Sequence, residues 1–415
     1  MRGAMVLAIS LLGTALGGCA AAEGPAEAPP PAARPESVAI SASFAAWRNG
    51  FRSQALAAGI SPTTFDRAFQ GVGVSAEVLE RDAFQPEFTR PIWEYLDRAV
   101  SDSRIENGRA ALAAEGTTLA EIERRFGVDA AVVTAIWGIE SAYGAQRGSL
   151  DVIESLATLA HQGRRRSFGE EQLVAALQIL EAGDVAPRSM VGSWAGAMGH
   201  TQFIPTSYLA YAADFDGDGR RNIWGADPSD ALASTANYLS RFGWTPGAPW
   251  GVEVRLPAGF DFSTVDQGNR QPVSVWQGRG VTRVDGSPIP DHGPAALLAP
   301  AGAGGPVFAV YNNFRVIKRY NNATSYALAV GHLADRLRGA GPFAADWPRG
   351  SRALSRAENI ELQERLTALG YDTQGADGII GPNTIAAIRA YQRANGLVPD
   401  GFPTADLLQR LATQG

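Results

Sequence analysis

The chain contains 415 residues, of which 45% are apolar and 19% are charged, and its formal net charge is −6. This length exceeds what a single hydrophobic core usually organises, so we expect two or more folded domains. The composition is typical of a folded soluble protein, and the lack of a basic tract argues against a nucleic-acid partner.

The first 19 residues have the pattern of a removable leader. Arg2 precedes an apolar run from Ala4 to Leu16, which is too short to span a bilayer as a stable helix. The run ends in Leu16-Gly-Gly-Cys19, which resembles the lipobox of bacterial lipoproteins, where the leader is cut before a cysteine that becomes lipidated. An ordinary secretory signal is the alternative. Cys19 is the only cysteine of the chain and cannot form an internal disulfide, which favours its lipidation.

The next segment, residues 20–40, is rich in Ala and Pro and has no hydrophobic period, so we expect a semi-extended tether. It begins with Ala20, and in lipoproteins of this kind a residue other than Asp at this position usually accompanies sorting to the outer membrane. The leader and the tether together predict a folded body held at a membrane by a lipid.

Residues 41 to about 345 are predicted to form one mainly helical domain. Ser61 is a suitable N-cap followed by Pro62 at the first helical position, and Thr118–Glu121 matches a capping box. The apolar periodicity predicts further helices at about 149–161, 168–182 and 323–338.

Between about 250 and 318 the apolar residues alternate with other residues, which predicts a small β-rich insertion within the helical domain. The alternating positions are Val252, Val254 and Leu256, followed by Val273, Val275 and Val281. A boundary at 339–352 separates this domain from residues 352–415, where the capping box Ser355–Glu358 opens a compact unit with three predicted helices.

The stretch Asp129–Gly144 is predicted to be a helix, with Asp129 as its N-cap and Gly144 at its end. Glu140 would share a helical face with apolar residues, namely Val132, Val133, Ile136, Trp137 and Tyr143. A carboxyl group so placed is poorly solvated, so we expect a raised pKa and a proton available near neutral pH. A Glu at the exposed margin of a core helix, or one paired with a distant Arg, would give the same pattern.

An acidic stretch follows at Asp214-Phe-Asp216-Gly-Asp218-Gly219. Carboxylates at i, i+2 and i+4 with Gly at i+5 match the first half of an EF-hand loop, which binds Ca²⁺ through oxygen ligands. The twelfth position is Gly225 instead of Glu, so the predicted loop is lengthened to 214–230, with Asp227 or Asp230 as its last ligand. A solvated Asp/Gly turn is the alternative.

Two further stretches each allow two interpretations. Trp194–Pro205 is uncharged and rich in small residues, which suits either close backbone approach to a polar neutral ligand or a tight helix crossing. Arg164–Arg166 is either a solvated face or a source of single cations for an anionic group. The four histidines show no metal-ligand spacing, so we expect them to be structural or exposed.

Taken together, these motifs resemble the membrane-bound lytic murein transglycosylase B family over about residues 43–340. The resemblance is carried by Gly138–Gly144, Ser193–Pro205, Asp214–Trp224, Asn237-Tyr238 and Arg319–Tyr326. The C-terminal unit separately resembles a peptidoglycan-binding module, through Leu362-Gln363, Leu369–Tyr371, Asp377-Gly378, Gly381–Thr384, Tyr391-Gln392 and Asp400-Gly401. The implied fold is mainly α: a lysozyme-like helical catalytic domain with a small β-rich insertion, plus a C-terminal three-helix peptidoglycan-binding domain.

The resemblance implies cleavage of the β-1,4 bond between N-acetylmuramic acid and N-acetylglucosamine, with formation of a 1,6-anhydromuramoyl end. Glu140 would be the only acid/base. The implied saccharide-binding residues are Ser193, Gln202, Tyr238, Tyr320, Tyr326, Tyr95 and Arg166. The implied ligands of a structural Ca²⁺ are Asp214, Asp216, Asp218, the Arg220 carbonyl and Asp230.

The expected partners are peptidoglycan glycan strands and, through a lipid on Cys19, the outer membrane facing the periplasm. We expect a monomer that needs no organic cofactor. Two other functions are compatible with the same motifs. One is a hydrolytic muramidase, and the other is a non-catalytic lipoprotein that binds the cell wall.

Overall fold

The computed structural model describes residues 42–84 and 90–414. The predicted leader, the lipidation site at Cys19 and the tether at 20–40 lie outside these residues. The described chain is mainly helical with small sheets, which confirms the expected fold class. None of its helices combines the length and the apolarity that a membrane crossing requires.

The helices vary from one and a half to nearly five turns. In chain order they are α1 (Ala42–Ala57), α2 (Pro62–Ala68), α3 (Ala76–Ala83), α4 (Ile92–Ala99), α5 (Asp102–Ala114), α6 (Gly116–Phe126), α7 (Ala130–Ser141), α8 (Val152–Gln162), α9 (Arg166–Ala182), α10 (Pro205–Tyr211), α11 (Ser229–Arg241), α12 (Val273–Gly278), α13 (Asn312–Tyr320), α14 (Thr324–Leu337), α15 (Arg356–Ala368), α16 (Pro382–Ala394) and α17 (Ala405–Ala412).

The strands form two antiparallel sheets. They are β1 (Leu150–Asp151), β2 (Val191–Gly192), β3 (Gly251–Arg255), β4 (Thr282–Arg283), β5 (Ala296–Leu298) and β6 (Val307–Val310). Strands β1 and β2 pair with each other, and the larger sheet has the order β4-β3-β6-β5. Within the larger sheet Gly251 pairs with Val310 and Ala296 also pairs with Val310, so β6 is its central strand together with β3.

The described chain divides into two compact units. The first contains the residues up to 83, residues 148–198 and residues 203–210, and the second contains the remainder. In the first unit α8 and α9 pack together. The buried Asp82 carboxylate accepts a hydrogen bond from the backbone N–H of Arg164 at 2.7 Å and pairs with the Arg165 side chain.

Helix α7 lies in the core of the second unit, where it packs against α5, α6, α11 and α14. Its N-terminus is capped as predicted, because the Asp129 carboxylate accepts a hydrogen bond from the N–H of Ala131 at 2.9 Å. The predicted end at Gly144 is wrong. The helix stops at Ser141, because Ala142 adopts a left-handed conformation with φ of 50°, and Tyr143 follows with φ of 59°.

The early end of α7 removes Tyr143 from the helical face of Glu140. The chain turns back instead, and the Tyr143 ring packs so closely on Gly138 that a Cβ there would lie 2.5 Å from it. The Tyr143 hydroxyl donates a hydrogen bond to the Arg104 carbonyl at 2.7 Å. Glycine is therefore required at position 138 because the Tyr143 ring packs against the helix there, and not because the backbone turns.

Two other local predictions are wrong for identifiable reasons. The capping box at Thr118–Glu121 does not form, because α6 already begins at Gly116 directly after α5, and Glu121 pairs with Arg124 instead. The run around Val273 and Val275 is the helix α12 and not a strand. Pro272 precedes its first turn, and the fully buried Trp276 lies one turn after Val273.

Strands β3 to β6 agree with the prediction of β structure in the insertion, although the predicted positions Leu256 and Val281 lie just outside β3 and β4. Strand β3 contains Val252 and Val254, as expected. The Trp276 indole fills the core beneath the larger sheet and donates a hydrogen bond to the Ala295 carbonyl at 2.8 Å. Helix α14 then returns to the helical core at the predicted place.

The three predicted helices of the C-terminal module are present as α15, α16 and α17. Two buried glutamines each fasten one Asp-Gly turn. Gln363 donates to the Asp377 carboxylate at 3.1 Å and accepts from the N–H of Gly378 at 2.8 Å. Gln392 donates to the Asp400 carboxylate at 2.7 Å and accepts from the N–H of Gly401 at 2.8 Å. The module thus uses one Gln–Asp–Gly clasp twice.

The capping box of α15 is confirmed, which generates a stability prediction. Replacing Ser355 with Ala leaves the N–H of Glu358 without its acceptor and lowers the free energy of unfolding of the module by about 1 kcal/mol. Urea denaturation of the full chain, followed by hydrogen exchange within 355–411, measures the loss. Ser351→Ala is the control, because the Ser351 hydroxyl makes no hydrogen bond within the described residues; equal losses in the two variants would contradict the assignment.

Candidate functional site

The Glu140 carboxyl group lies half-buried in the last turn of α7. Burial raises its pKa to about 7, while a hydrogen bond from the Tyr326 hydroxyl to Oε1, 2.6 Å long, opposes this rise. No ion pair to Glu140 occurs among the described residues, so the alternative of a Glu neutralised by a distant Arg is not observed. The site therefore holds a carboxyl group that titrates near neutral pH, where it can both give and take a proton.

Three tyrosines on α11, α13 and α14 lie together beside this carboxyl group. Tyr326 and Tyr320 are buried, and the negative charge of Glu140 adds to burial in raising the pKa of both hydroxyls. The Tyr320 hydroxyl donates to the Thr201 carbonyl at 2.6 Å, and the Tyr238 hydroxyl donates to the Arg319 carbonyl at 2.6 Å. The rings of Tyr238 and Tyr320 meet edge to face with centroids 5.0 Å apart. Their orientations are fixed by these backbone acceptors.

Tyr95, on α4, completes the tyrosine cluster. Burial raises the pKa of its hydroxyl, the negative charge of Glu140 raises it further, and the Arg104 cation opposes the change. Tyr95 therefore lies within electrostatic reach of both groups. Arg104 was not predicted as a site residue; its Nη1 donates a hydrogen bond to the Gly138 carbonyl, two residues before Glu140. Only the packing of α5 on α7 brings Arg104 to this position, so no local sequence signal indicates it.

Gln202 adopts a left-handed backbone conformation with φ of 54°, which is uncommon for a residue with a side chain. Its Nε2 donates to the carbonyls of Arg147 and Gly199, at 3.0 and 2.8 Å. At Gly199 a Cβ would lie 2.3 Å from the Ile223 carbonyl oxygen, so only glycine fits. In the stretch Trp194–Pro205, glycine at position 199 thus permits close approach of two backbone segments.

Ser193 and Arg166 belong to the first unit. The buried Ser193 hydroxyl accepts a hydrogen bond from the N–H of Ala197 at 3.1 Å and so stabilises its own turn. Arg166 is exposed at the first residue of α9, where its charge contributes to lowering the pKa of His161. Their roles in saccharide binding remain predictions.

The acidic loop gathers three carboxylates. One oxygen each of Asp214, Asp216 and Asp218 lies within 4.8 Å of the others. Asp214 accepts hydrogen bonds from the N–H groups of Gly217 and Gly219, at 2.8 and 3.0 Å, which curl the loop around its carboxylate. Such a set of convergent hard oxygens fits a Ca²⁺ ion.

The two candidate last ligands differ in position. Asp230 is buried, and its two oxygens accept hydrogen bonds from the N–H groups of Phe215 and Asn222, each at 2.7 Å. Asp227 instead accepts from the N–H of Ser229 at 2.8 Å at the start of α11. Burial raises the pKa of Asp230, and the charge of Asp216 raises it as well, but Asp230 is not among the carboxylates whose oxygens converge within 4.8 Å.

A family model for the transglycosylase SLT domain matches residues 43–335, which is most of the chain and includes Glu140, the tyrosines and the acidic loop. The chain belongs to this family. A second model, for a peptidoglycan binding domain, matches residues 355–411, where the three-helix module lies.

Named relatives agree with this membership. Membrane-bound lytic murein transglycosylase B of Escherichia coli strain K12 is 32% identical over 241 residues, which span 58% of this chain and 65% of that protein. SltB3 from Pseudomonas aeruginosa, solved in complex with NAG-anhNAM-pentapeptide, is 54% identical with a TM-score of 0.87, covering 90% of this chain and all of that one. Escherichia coli Slt35, solved in complex with calcium, is 27% identical with a TM-score of 0.60, covering 72% and 93%.

The hydrogen bond between Tyr326 and Glu140 generates a prediction. Tyr326→Phe removes a donor that favours the ionised carboxylate, so the pKa of Glu140 rises above its value of about 7. Because a proton donor is lost as pH rises through its pKa, we expect the alkaline limb of activity on peptidoglycan to move up by about one pH unit. The pH dependence of kcat/KM measures this shift.

Tyr311→Phe is the matched control for this variant. Tyr311 is equally buried, but its hydroxyl donates to the Pro290 carbonyl in the insertion. We expect its alkaline limb to stay at the wild-type pH. An unmoved limb in Tyr326→Phe would show that Tyr326 does not set the protonation of the group that governs activity.

Proposed function

We propose that the protein is a lytic transglycosylase that cleaves the β-1,4 bond between N-acetylmuramic acid and N-acetylglucosamine and leaves a 1,6-anhydromuramoyl end. The observation that carries this proposal is that the Glu140 carboxyl group has a pKa of about 7 and accepts a hydrogen bond from the Tyr326 hydroxyl. Membership of the SLT family supports it, as does the NAG-anhNAM-pentapeptide bound to SltB3.

The mechanism uses Glu140 twice. The protonated carboxyl group first donates its proton to the glycosidic oxygen while the bond from that oxygen to the muramoyl C1 breaks. The C6 hydroxyl of the same muramoyl residue then forms a bond to C1, and its proton passes to the Glu140 carboxylate. The carboxyl group ends in its starting state, and no water is consumed because the C6 hydroxyl takes the place of water as the nucleophile.

A single carboxyl group suffices for this route. Glycosidases that use water or a covalent intermediate normally need a pair of carboxyl groups. Here the nucleophile is part of the substrate and already lies near C1, so it needs no second carboxylate to activate or replace it. In agreement, burial raises the pKa of Glu140, whereas in a coupled pair a second carboxylate would do so.

The glycan would lie across the tyrosine cluster. Tyrosine rings suit sugar faces, and a groove with few charges suits the neutral sugars of the strand. The residues of the second unit proposed to line it are Tyr95, Tyr238, Tyr320, Tyr326 and Gln202. For Ser193 and Arg166, which belong to the first unit, a saccharide contact is supported by the family resemblance alone. Because the hydroxyls of Tyr238 and Tyr320 already donate to backbone carbonyls, we assign to these two a role in shaping the groove.

The acidic loop would hold a structural Ca²⁺ ion. Asp214, Asp216 and Asp218 supply the convergent oxygens, and the Arg220 carbonyl and Asp230 would complete the set. The calcium complex of Slt35 supports this assignment for the family. The ion would offset most of the negative charge of the three clustered carboxylates and so brace the loop, without taking part in the cleavage.

The proposed location is the periplasm, with a lipid on Cys19 anchoring the protein to the outer membrane. The lipobox-like sequence before Cys19 supports the anchor, and the membrane-bound relative in Escherichia coli agrees with it. The module at 355–411 would add a second contact to peptidoglycan. Two linked weak contacts raise the local concentration of substrate at the catalytic groove.

Glu140→Gln tests the chemistry, because the amide has the shape of the acid but cannot donate a proton. We expect the release of anhydro-terminated muropeptides from purified sacculi to fall by at least about 100-fold. Mass spectrometry of the digest separates anhydro ends from reducing ends. Glu106→Gln, an exposed position on α5, is the control. Reducing-end products from the wild type would instead identify a hydrolytic muramidase, and unchanged release by Glu140→Gln would remove Glu140 from the mechanism.

Calcium titration tests the loop. Calcium at 100 times its Kd should stabilise the wild type by about 2.7 kcal/mol, visible as a rise of Tm in calorimetry. Asp216→Asn removes a charge from the cluster and should abolish most of this rise. Asp285→Asn, in the exposed Asp-Gly turn of the insertion, is the control and should keep it. A wild-type Tm that does not respond to calcium would identify the loop as a solvated turn.

A further inference from the structure

His200 is buried between the end of the acidic loop and the helix that carries Glu140. Its Nδ1 lies 3.1 Å from Trp137 Nε1, and its Nε2 lies 2.9 Å from the Gly225 carbonyl oxygen. An indole N–H can only donate, so Nδ1 accepts and carries no proton. The proton is therefore on Nε2, where it is donated to the carbonyl. The imidazole therefore connects the two elements by accepting a hydrogen bond from α7 and donating one to the loop.

The backbone of His200 makes two more connections between the same elements. Its N–H donates to the Ile223 carbonyl at 3.1 Å, and its own carbonyl accepts from the Ser141 hydroxyl at 2.5 Å. Trp137 and Ser141 lie three residues before and one residue after Glu140. The loop is thus attached to α7 on both sides of the carboxyl-bearing residue.

The environment of His200 keeps the imidazole neutral. Burial lowers its pKa, and the Arg147 cation, whose Nη1 lies 3.0 Å from Nε2, lowers it as well, while the Gly225 carbonyl and the charge of Asp227 act in the opposite sense. Arg147 also donates to the Trp224 carbonyl at 3.1 Å. Arg147 and His200 therefore hold the same end of the loop.

A path of hydrogen bonds leads from Asp230, the proposed last ligand, to the Gly225 backbone. Asp230 accepts from the N–H of Asn222 at 2.7 Å, and the Asn222 side chain accepts from the N–H groups of Trp224 and Gly225 at 3.1 and 3.0 Å. Three clustered negative charges repel one another, so a cation among them favours one arrangement of the loop. The hydrogen bonds through Asn222 connect that arrangement to the backbone of Gly225, whose carbonyl His200 contacts.

We propose that His200 is a positioning residue that couples cation binding at the acidic loop to the conformation of the last turn of α7, where Glu140 lies. The inference rests on the calcium site proposed above. It assigns to the buried histidine a role that the sequence motifs do not suggest, since its spacing matches no metal site and it does not touch Glu140.

Hydrogen exchange measures this coupling without substrate. The reporters are the N–H groups of Ala142, Gly144 and Gln146, which bond to Gly138 and Ser141 at the exit of α7. In the wild type we expect calcium to slow their exchange by about 5- to 100-fold, the usual range of coupling between two sites. His200→Phe keeps a ring but loses both hydrogen bonds, so calcium should still bind while the slowing is lost.

Three further variants make the result specific. His200→Gln keeps one acceptor and one donor and should retain part of the slowing. Trp137→Phe removes only the indole donor and should reproduce the uncoupling if His200→Phe does not fold. His332→Phe removes another buried histidine of the second unit, which stacks on Phe343, and should respond to calcium like the wild type.

Calorimetric titration of calcium into the same samples separates the possible failures. Calcium that binds His200→Phe and slows exchange there as in the wild type would overturn the coupling. Calcium that binds the wild type without slowing these amides would overturn it as well, while leaving the calcium site intact. A wild type that binds no calcium would overturn both, and none of these results bears on whether Glu140 acts on peptidoglycan.

Discussion

Two opposing influences set the pKa of one carboxyl group, that of Glu140, on which the proposed chemistry depends. Burial among α7 and the tyrosines favours the protonated form of Glu140, and the Tyr326 hydroxyl favours the ionised form. Without burial the carboxyl group would ionise nearer to its ordinary pKa, and without the Tyr326 hydroxyl its pKa would rise further. The two together place its pKa near 7, which is what a group needs if it is to give a proton and take one back in a single turnover.

Several helices of the second unit surround this carboxyl group. Helix α7 is buried along nearly its whole length, so its position is set by α5, α11 and α14, while Glu140 itself lies half-buried in the last turn. The early end at Ser141 matters equally. Because Ala142 and Tyr143 turn the chain back, the Tyr143 ring covers Gly138, two residues before Glu140.

Local chemistry was predictable from the sequence, and long-range contacts were not. Asp129, the Ser355–Glu358 box and the three aspartates act on neighbours within a few residues, so their patterns indicated their contacts. The partner of Glu140 lies 186 residues away, and the family resemblance gave Tyr326 as a saccharide contact instead. Val273 and Val275 were mispredicted because alternation over three residues does not distinguish a short strand from one helical turn begun by a proline.

The duplicated clasp of the C-terminal module has a consequence for how such modules are recognised. Its glutamines, aspartates and glycines hold two turns to two helices. The presence of these residues therefore indicates the fold of the module and not its ligand. Chains that share them are free to differ at neighbouring exposed positions such as Ile379, two-thirds of which faces solvent. Selectivity for one kind of cell wall over another would then depend on exposed side chains at positions outside the shared motif.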